Sequence, residues 1–159
     1  MNYLEFKIPF SNQTRLKISA KLEQLVAGIN SGLPTDENHF LEWDFDNIRY
    51  TQMIHSLRYV QDRFRLGDIY VMTDSETCNF RAICYTSVPF LKMIEILAGT
   101  PYIDPDFVRI SLRRRYSTVR ISPKIERTPP RMLGILKSPY ESSSLPKTVV
   151  HEKYWTEIK

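Results

Sequence analysis

Apolar and polar residues alternate at the start of the chain and then change their spacing. Residues 2–10 alternate, with Leu4, Phe6 and Ile8 set against Glu5 and Lys7, which predicts a β-strand because successive side chains of a strand point to opposite faces. Residues 14–31 carry apolar residues at helical spacing and stop before Gly32, which predicts a helix. We therefore expect residues 1–38 to form an N-terminal strand-helix extension.

The centre of the chain, residues 39–124, shows strand and helix patterns in a recurring order. The patterns predict strands over residues 39–46, 68–73, 79–88 and 117–121, and helices over residues 47–66 and 87–98, the second capped by Ser87. This β-α-β-β-α-β order predicts the α+β fold class: an RRM-like or ferredoxin-like antiparallel sheet of four strands with both helices on one face.

A different composition begins at residue 125. Residues 125–159 contain several prolines and a run of serines. Proline interrupts helices and cannot donate to the ladder of a central strand. We therefore expect an extended C-terminal arm, which is a candidate for docking a protein partner.

Composition narrows the class of protein. With 159 residues, 42% of them apolar, the chain is long and apolar enough for one domain with a core. No apolar run reaches the ~20 residues that cross a bilayer, and the first residues lack a signal-peptide pattern, so we expect a cytoplasmic protein without membrane contact. Cys78 and Cys84 are too few for a disulfide scaffold or a four-cysteine zinc site.

Positive charge is concentrated in one window. Residues 107–137 contain nine basic residues and one acidic residue, so this window carries +8 whereas the whole chain carries +4. Such a field attracts DNA or RNA, and arginine forks suit phosphate oxygens. The alternative is a solvated face that contacts no ligand. The predicted nucleic-acid contacts are Arg109, Arg113, Arg114, Arg115 and Arg127.

Carboxylates recur in two parts of the centre. In its first strand, Glu42, Asp44 and Asp46 fall on one face, where they would be solvated or neutralised by a cation. Asp104 or Asp106 could supply a further carboxylate if that segment crosses the same face. Oxygen ligands of this kind suit Mg²⁺ or Mn²⁺. Two alternatives stay open, because Asp46 can cap the next helix and an Asp-Pro pair can start a turn.

Arg120 is a candidate link between the two sets of charges. If residues 117–121 are a strand, Val119 faces the helices and Arg120 faces the side that holds the carboxylates. There it can meet a nucleotide or template phosphate, or form a salt bridge to Asp44 or Asp46.

These features together resemble the archaeo-eukaryotic primase superfamily, whose catalytic module is an RRM-like sheet. The resemblance covers roughly residues 40–124. It lies in LEWDFDN around Asp44 and Asp46, in the Asp-rich turn that follows the second helix, and in the basic strand VRISPK. Where the family has a nucleotide-binding His, this chain has Arg81.

The resemblance implies a site and an activity. The implied catalytic residues are Asp44, Asp46 and Asp104. The implied ligands of Mg²⁺ or Mn²⁺ are Asp44, Asp46 and Asp106. The implied nucleotide phosphate contacts are Arg81, Arg120 and Lys124. The activity would be transfer of a nucleotide from a nucleoside triphosphate to a 3′-hydroxyl in DNA replication.

Two other functions remain open. A relative that binds nucleic acid without catalysis fits Arg81, because a guanidinium holds a phosphate but cannot copy a neutral imidazole. An adaptor or inhibitor from a mobile element could instead dock a partner protein with the basic window and the arm. A rolling-circle nuclease is disfavoured, because such an enzyme needs His-x-His for its metal and the chain has no His-x-His.

Overall fold

A mixed helix and strand architecture is present in the computed structural model, which describes residues 3–9, 15–21, 28–73, 78–121 and 130–140. The strands in these ranges are β1 (Tyr3–Pro9), β2 (Arg15–Lys21), β3 (Gly28–Asn30), β4 (Asn38–Phe45), β5 (Ile69–Thr73), β6 (Phe80–Pro89), β7 (Thr118–Arg120) and β8 (Arg131–Leu136). The helices are α1 (Tyr50–Phe64), α2 (Phe90–Ala98) and α3 (Pro105–Arg114). None of these three helices has the length and apolar content of a membrane-spanning segment.

A four-stranded antiparallel sheet with the order β4-β6-β5-β8 forms the centre of the fold. β4 and β5 lie on either side of β6, and α1 connects β4 to β5 along the chain, which is a split β-α-β arrangement. Alternate residues of β4 (Leu41, Trp43 and Phe45) are fully buried and share one hydrophobic core with Leu57 of α1 and Met93 of α2. The predicted α+β class is confirmed.

The N-terminal segment forms strands where a helix was expected. β1 lies within the predicted first strand and pairs with β2 in a separate two-stranded sheet. The helix predicted over residues 14–31 is wrong, because this segment contains β2 and β3. Residues 15–21 (RLKISAK) alternate between polar and apolar residues, which is the pattern of a strand, and they form β2. The apolar residues on which the helix was predicted come mostly after this segment.

Helix α3 occupies the segment that was predicted to be a turn after α2. Asp104 is its N-cap, with Oδ1 accepting a hydrogen bond from the Asp106 N–H at 3.0 Å, and the proline between them lies in the first turn. Asp and Pro in these positions favour a helix start as well as a turn. The helix ends at Arg114, and its C-cap Arg115 has a left-handed φ of 66°. The predicted cap of α2 is also wrong, since Pro89 takes that position and not Ser87.

The last two strands take different places from those predicted. The strand expected over residues 117–121 is present as β7, but it pairs with β3 and is not part of the four-stranded sheet. The fourth strand of that sheet is β8, which comes from the predicted extended arm and pairs with β5. The prolines of this segment flank β8 and do not interrupt it. Strand pairing therefore joins part of the predicted extension and part of the predicted arm to the centre.

Backbone hydrogen bonds attach β3, β7 and α3 to the outer edge of β4. The Ser31 oxygen accepts from the Phe40 N–H at 3.1 Å, and the Ser31 N–H donates to the Ser117 oxygen at 3.1 Å. The Asp104 N–H donates to the Asp44 carbonyl oxygen at 3.1 Å. These bonds cover an edge strand and fix the start of α3 beside the end of β4, where predicted site residues lie.

Candidate functional site

A cavity of about 210 Å³ lies where α3 and β7 meet the end of β4. Its lining combines two carboxylates, one guanidinium, a phenol, two hydroxyl groups and two apolar side chains. The lining residues are Asp44, Asp104, Phe107, Ile110, Ser111, Arg114, Tyr116 and Thr118. The structure thus brings together Asp44 and Asp104, which stand 60 positions apart in the sequence.

Asp44 is held by a buried arginine on the neighbouring strand. It lies opposite Arg81 in the register of β4 and β6, and Arg81 Nε is 3.6 Å from Asp44 Oδ1. The side chain of Arg81 is 6% exposed, whereas that of Asp44 is 29% exposed and lines the cavity. Arg81 therefore neutralises Asp44 from within the sheet.

Asp104 reaches the same cavity from the start of α3. Its Oδ1 caps the helix, while its Oδ2 has no hydrogen-bond partner among the described residues. The positive end of the helix dipole lies at this position and compensates a carboxylate charge. Two carboxylates with different partners therefore face one space.

The other two predicted metal ligands lie outside the cavity. Asp46 is exposed just beyond the end of β4. Asp106 is exposed on α3, where its Oδ1 is 2.9 Å from Arg109 Nη2. Across the described ranges, no group of three or more His, Cys, Asp and Glu side chains is arranged to hold a metal ion. Binding of Mg²⁺ or Mn²⁺ stays a prediction.

Three consecutive arginines end helix α3. Arg113, Arg114 and Arg115 are all exposed, and cations are favourable at the negative end of a helix dipole. Arg114 lines the cavity, and the guanidinium carbon of Arg115 lies 5.5 Å from the ring centroid of Phe90. The helix therefore presents positive charge beside the cavity.

The remaining basic candidates lie elsewhere. Arg120 is half-buried on β7 opposite Gly28 and does not line the cavity. Arg120 was predicted to lie on the four-stranded sheet. This prediction is wrong, because β7 pairs with β3 in a separate two-stranded sheet. Arg109 pairs with Asp106 on the outer side of α3. Lys124 and Arg127 lie outside the described residues.

The environment of Glu42 differs from the predicted one. It was expected on an open face, solvated or bound to a cation, but its side chain is fully buried. Its Oε2 accepts a hydrogen bond from Ser117 Oγ at 2.8 Å, and the backbone of Val119 provides another. Burial raises the pKa of Glu42 to about 8, outweighing both hydrogen bonds, so this carboxyl is protonated at neutral pH. Glu42 therefore joins β4 to β7 as a neutral acid.

Comparison of the chain with models of protein families, with curated proteins and with solved structures finds no match. The primase resemblance and the activity that it implies therefore stay predictions from the sequence motifs.

Proposed function

We propose that the chain is a nucleic-acid-binding protein of the replication type, which holds the phosphates of a single strand or a nucleotide against the C-terminal end of α3. The observation that carries this proposal is the exposure of Arg113, Arg114 and Arg115 at the end of α3, where Arg114 also lines the cavity. Arginine forks form charge-assisted hydrogen bonds to phosphate oxygens. The +8 charge of the surrounding window would raise the rate at which such a polyanion arrives.

A single strand suits this surface better than a duplex. The cavity next to the arginines contains the phenol of Tyr116 and the apolar side chains of Phe107 and Ile110. Unstacked bases bind to such side chains, whereas a duplex keeps its bases stacked inside. DNA and RNA single strands are equally compatible with these contacts.

The proposal includes an RRM-like origin for the centre of the fold. The order β4-β6-β5 with α1 as the crossover supports it, because a split β-α-β unit places its strands this way. β7 lies on the β4 side of the sheet and is joined to β4 through Ser31. A ferredoxin-like sheet has its last strand on that same side.

Metal-dependent nucleotidyl transfer is a second candidate function, favoured by the convergence of Asp44 and Asp104. Mg²⁺ commonly uses one or two carboxylates together with substrate phosphates, and these two residues would hold such an ion. When bound, the ion would stabilise the charge that develops on a transferred phosphate. Arg114 would bind a non-bridging phosphate oxygen from the rim.

Extension of a primed template tests this second candidate. We expect an active enzyme to add nucleotides in the presence of Mn²⁺ and to lose this activity in Asp44→Asn. The exposed Glu95→Gln serves as the control and should retain it. No incorporation by the natural sequence would leave only the binding function.

Binding to labelled oligonucleotides tests the main proposal. The variant Arg113→Gln/Arg115→Asn removes two charges from the end of α3, and Asn tolerates the left-handed backbone at the cap. The matched control is Arg63→Gln/Arg65→Asn, since Arg63 also lies in a last helical turn and Arg65 also caps a helix with a left-handed φ of 52°. We expect only the α3 variant to weaken binding.

Two results would contradict the proposal. Equal weakening by both variants would show that any surface arginine contributes. Absence of binding to oligonucleotides at low salt would favour the alternative function, in which the basic surface docks a partner protein.

A further inference from the structure

Four of the six polar side chains that line the cavity beside α3 present hydrogen-bond acceptors to it: Asp44, Asp104, Ser111 and Thr118. Ser111 Oγ donates its hydrogen to the Phe107 oxygen at 2.8 Å, and Thr118 Oγ1 donates its hydrogen to Asn30 Oδ1 at 2.8 Å. A hydroxyl group has a single hydrogen, so both oxygens can only accept bonds from a group inside the cavity. A ligand that matches them must donate.

The carboxylates of Asp44 and Asp104 add further acceptors to the same lining. Their charges are compensated within the chain, because Arg81 faces Asp44 and the start of α3 faces Asp104. Arg114 lies on the same cavity and would repel a cation. These charges favour a neutral ligand that carries several donors.

The size of the cavity limits that ligand to a small group. Pockets for drug-sized molecules span ~300–1,000 Å³, and this cavity of about 210 Å³ is smaller. It therefore takes one flat ring system and not a whole nucleoside triphosphate. Phe107 and Ile110 provide apolar surface that such a ring can contact, and Tyr116 provides an aromatic surface.

We infer that the cavity binds the unpaired guanine base of a nucleic-acid strand. Guanine carries two adjacent donor groups on its Watson–Crick edge, N1–H and the N2 amino group, whereas the other bases present fewer donors there. Arg114 at the rim is placed to bind the phosphate that precedes or follows this base. The inference rests on the proposed nucleic-acid binding, and it competes with the metal-dependent candidate for Asp44 and Asp104.

Oligonucleotides that differ at a single base test this assignment. The probes are oligothymidine with one central guanine, the same strand with hypoxanthine in its place, and the same strand with 7-deazaguanine. Hypoxanthine lacks only the N2 amino donor, and 7-deazaguanine lacks only the N7 acceptor. We expect guanine to bind about tenfold more tightly than thymine, hypoxanthine to lose most of this gain, and 7-deazaguanine to retain it.

A pair of variants on one helix locates the preference. Asp104→Asn keeps a good N-cap but replaces an acceptor oxygen by an amide donor, so we expect it to abolish the preference, measured in the same variant as the ratio of its affinities for the guanine strand and for plain oligothymidine. Asp106→Asn makes the same change of charge two residues away, outside the cavity, and should retain the preference.

The outcomes separate this inference from the proposed function. Equal binding of all probes, still weakened by Arg113→Gln/Arg115→Asn, would overturn the guanine site and leave nucleic-acid binding in place. Binding of Mn²⁺ by the free protein that is lost in Asp104→Asn would assign the carboxylates to a metal and would also overturn it. Binding of no probe would overturn both.

Discussion

A single buried carboxyl connects two parts of this molecule at the scale of residues. Glu42 on β4 accepts hydrogen bonds from Ser117 Oγ and from the backbone of Val119, both from the β7 segment. Its Oε1 has no partner in the described part of the chain. Ionisation would place an uncompensated charge in the core, which is costly. Attachment of β7 to β4 therefore depends on Glu42 keeping its proton.

The free energy of unfolding should depend on pH through Glu42. Its pKa is about 8 in the folded chain against 4.5 for a free side chain, so the folded state binds the proton more tightly. The contribution of Glu42 to the free energy of unfolding has its full value at pH values below the pKa of the unfolded chain. This contribution is lost as the pH rises towards 8, at up to about 1.4 kcal/mol per pH unit. Glu42→Gln stays neutral, so we expect this variant to gain stability relative to the natural sequence as the pH rises over that range.

Urea unfolding at several pH values measures this difference. Glu95→Gln is the control, because Glu95 is exposed on α2 and pairs only at the surface with Lys92 among the described residues. A stability difference between the natural sequence and Glu42→Gln that does not change with pH would show that Glu42 is ionised in the fold.

The sequence motifs identified some site residues and misplaced others for one physical reason. Alternation predicts which residues share a face of a strand, and it correctly separated Trp43 from Asp44. It does not tell whether the second face meets solvent. Ile83, opposite Glu42 in the register, is also buried, so both faces of β4 are covered here. The alternation of residues 41–45 is typical of a strand with one open face, and the residues that cover Glu42, Ile83 and Ser117, come from distant parts of the sequence.

At the scale of elements, α3 determines the shape of the site. It supplies four of the residues that line the cavity, and its N-cap, Asp104, lies beside the end of β4.

The central strands and α1 were predictable because their periodicity is local. The pairing of β7 and β8 was not, because partner choice depends on distant segments. Asp-Pro is likewise compatible with a turn or a helix start until its surroundings are known.

Replacing the cap of α3 should destabilise the fold in a residue-specific way. Asp104→Ala removes the acceptor for the Asp106 N–H, and we expect a loss of about 1 kcal/mol in the free energy of unfolding. Asp104→Asn retains an acceptor and should lose little. Urea unfolding of the two variants checks this, and equal losses would indicate that the cap bond contributes nothing.

A second element-scale prediction concerns the attachment of β8. The amide Nε2 of Gln61 on α1 donates to the carbonyl oxygens of Gly67 at 2.9 Å and Leu136 at 3.1 Å. Gln61→Leu removes both of these buried hydrogen bonds, so we expect a loss of about 1–3 kcal/mol. Faster amide exchange in β8 should accompany it. The control Gln52→Leu removes an exposed bond to the Arg49 N–H and should cost less.

At the scale of the whole molecule, the uneven distribution of charge has measurable consequences. The window of residues 107–137 carries +8, so the rest of the chain carries −4. An anionic ligand is therefore attracted to one side and repelled from the remainder, which orients its approach. Long-range interactions of this kind weaken as salt is added.

The salt dependence of oligonucleotide binding should show how many phosphates contact the end of α3. For single strands, the logarithm of the binding constant falls with the logarithm of salt concentration by about 0.7 per neutralised phosphate. If Arg113 and Arg115 each contact one phosphate, removing both should make the slope shallower by about 1.4. Titrations at several salt concentrations measure this, and an unchanged slope would mean that these two side chains do not contact the backbone.

The wide sequence separation of paired strands bears on how the chain is synthesised. Thr118 of β7 bonds Asn30 of β3 across 88 positions, so β3 leaves the ribosome long before its partner exists. β8 is likewise synthesised after its partner β5, and before β8 is present one side of β5 has unpaired backbone groups. Chains that stop before residue 131 would keep this strand open, and open strands recruit other chains. Premature termination in this interval should therefore yield insoluble product rather than a smaller working protein.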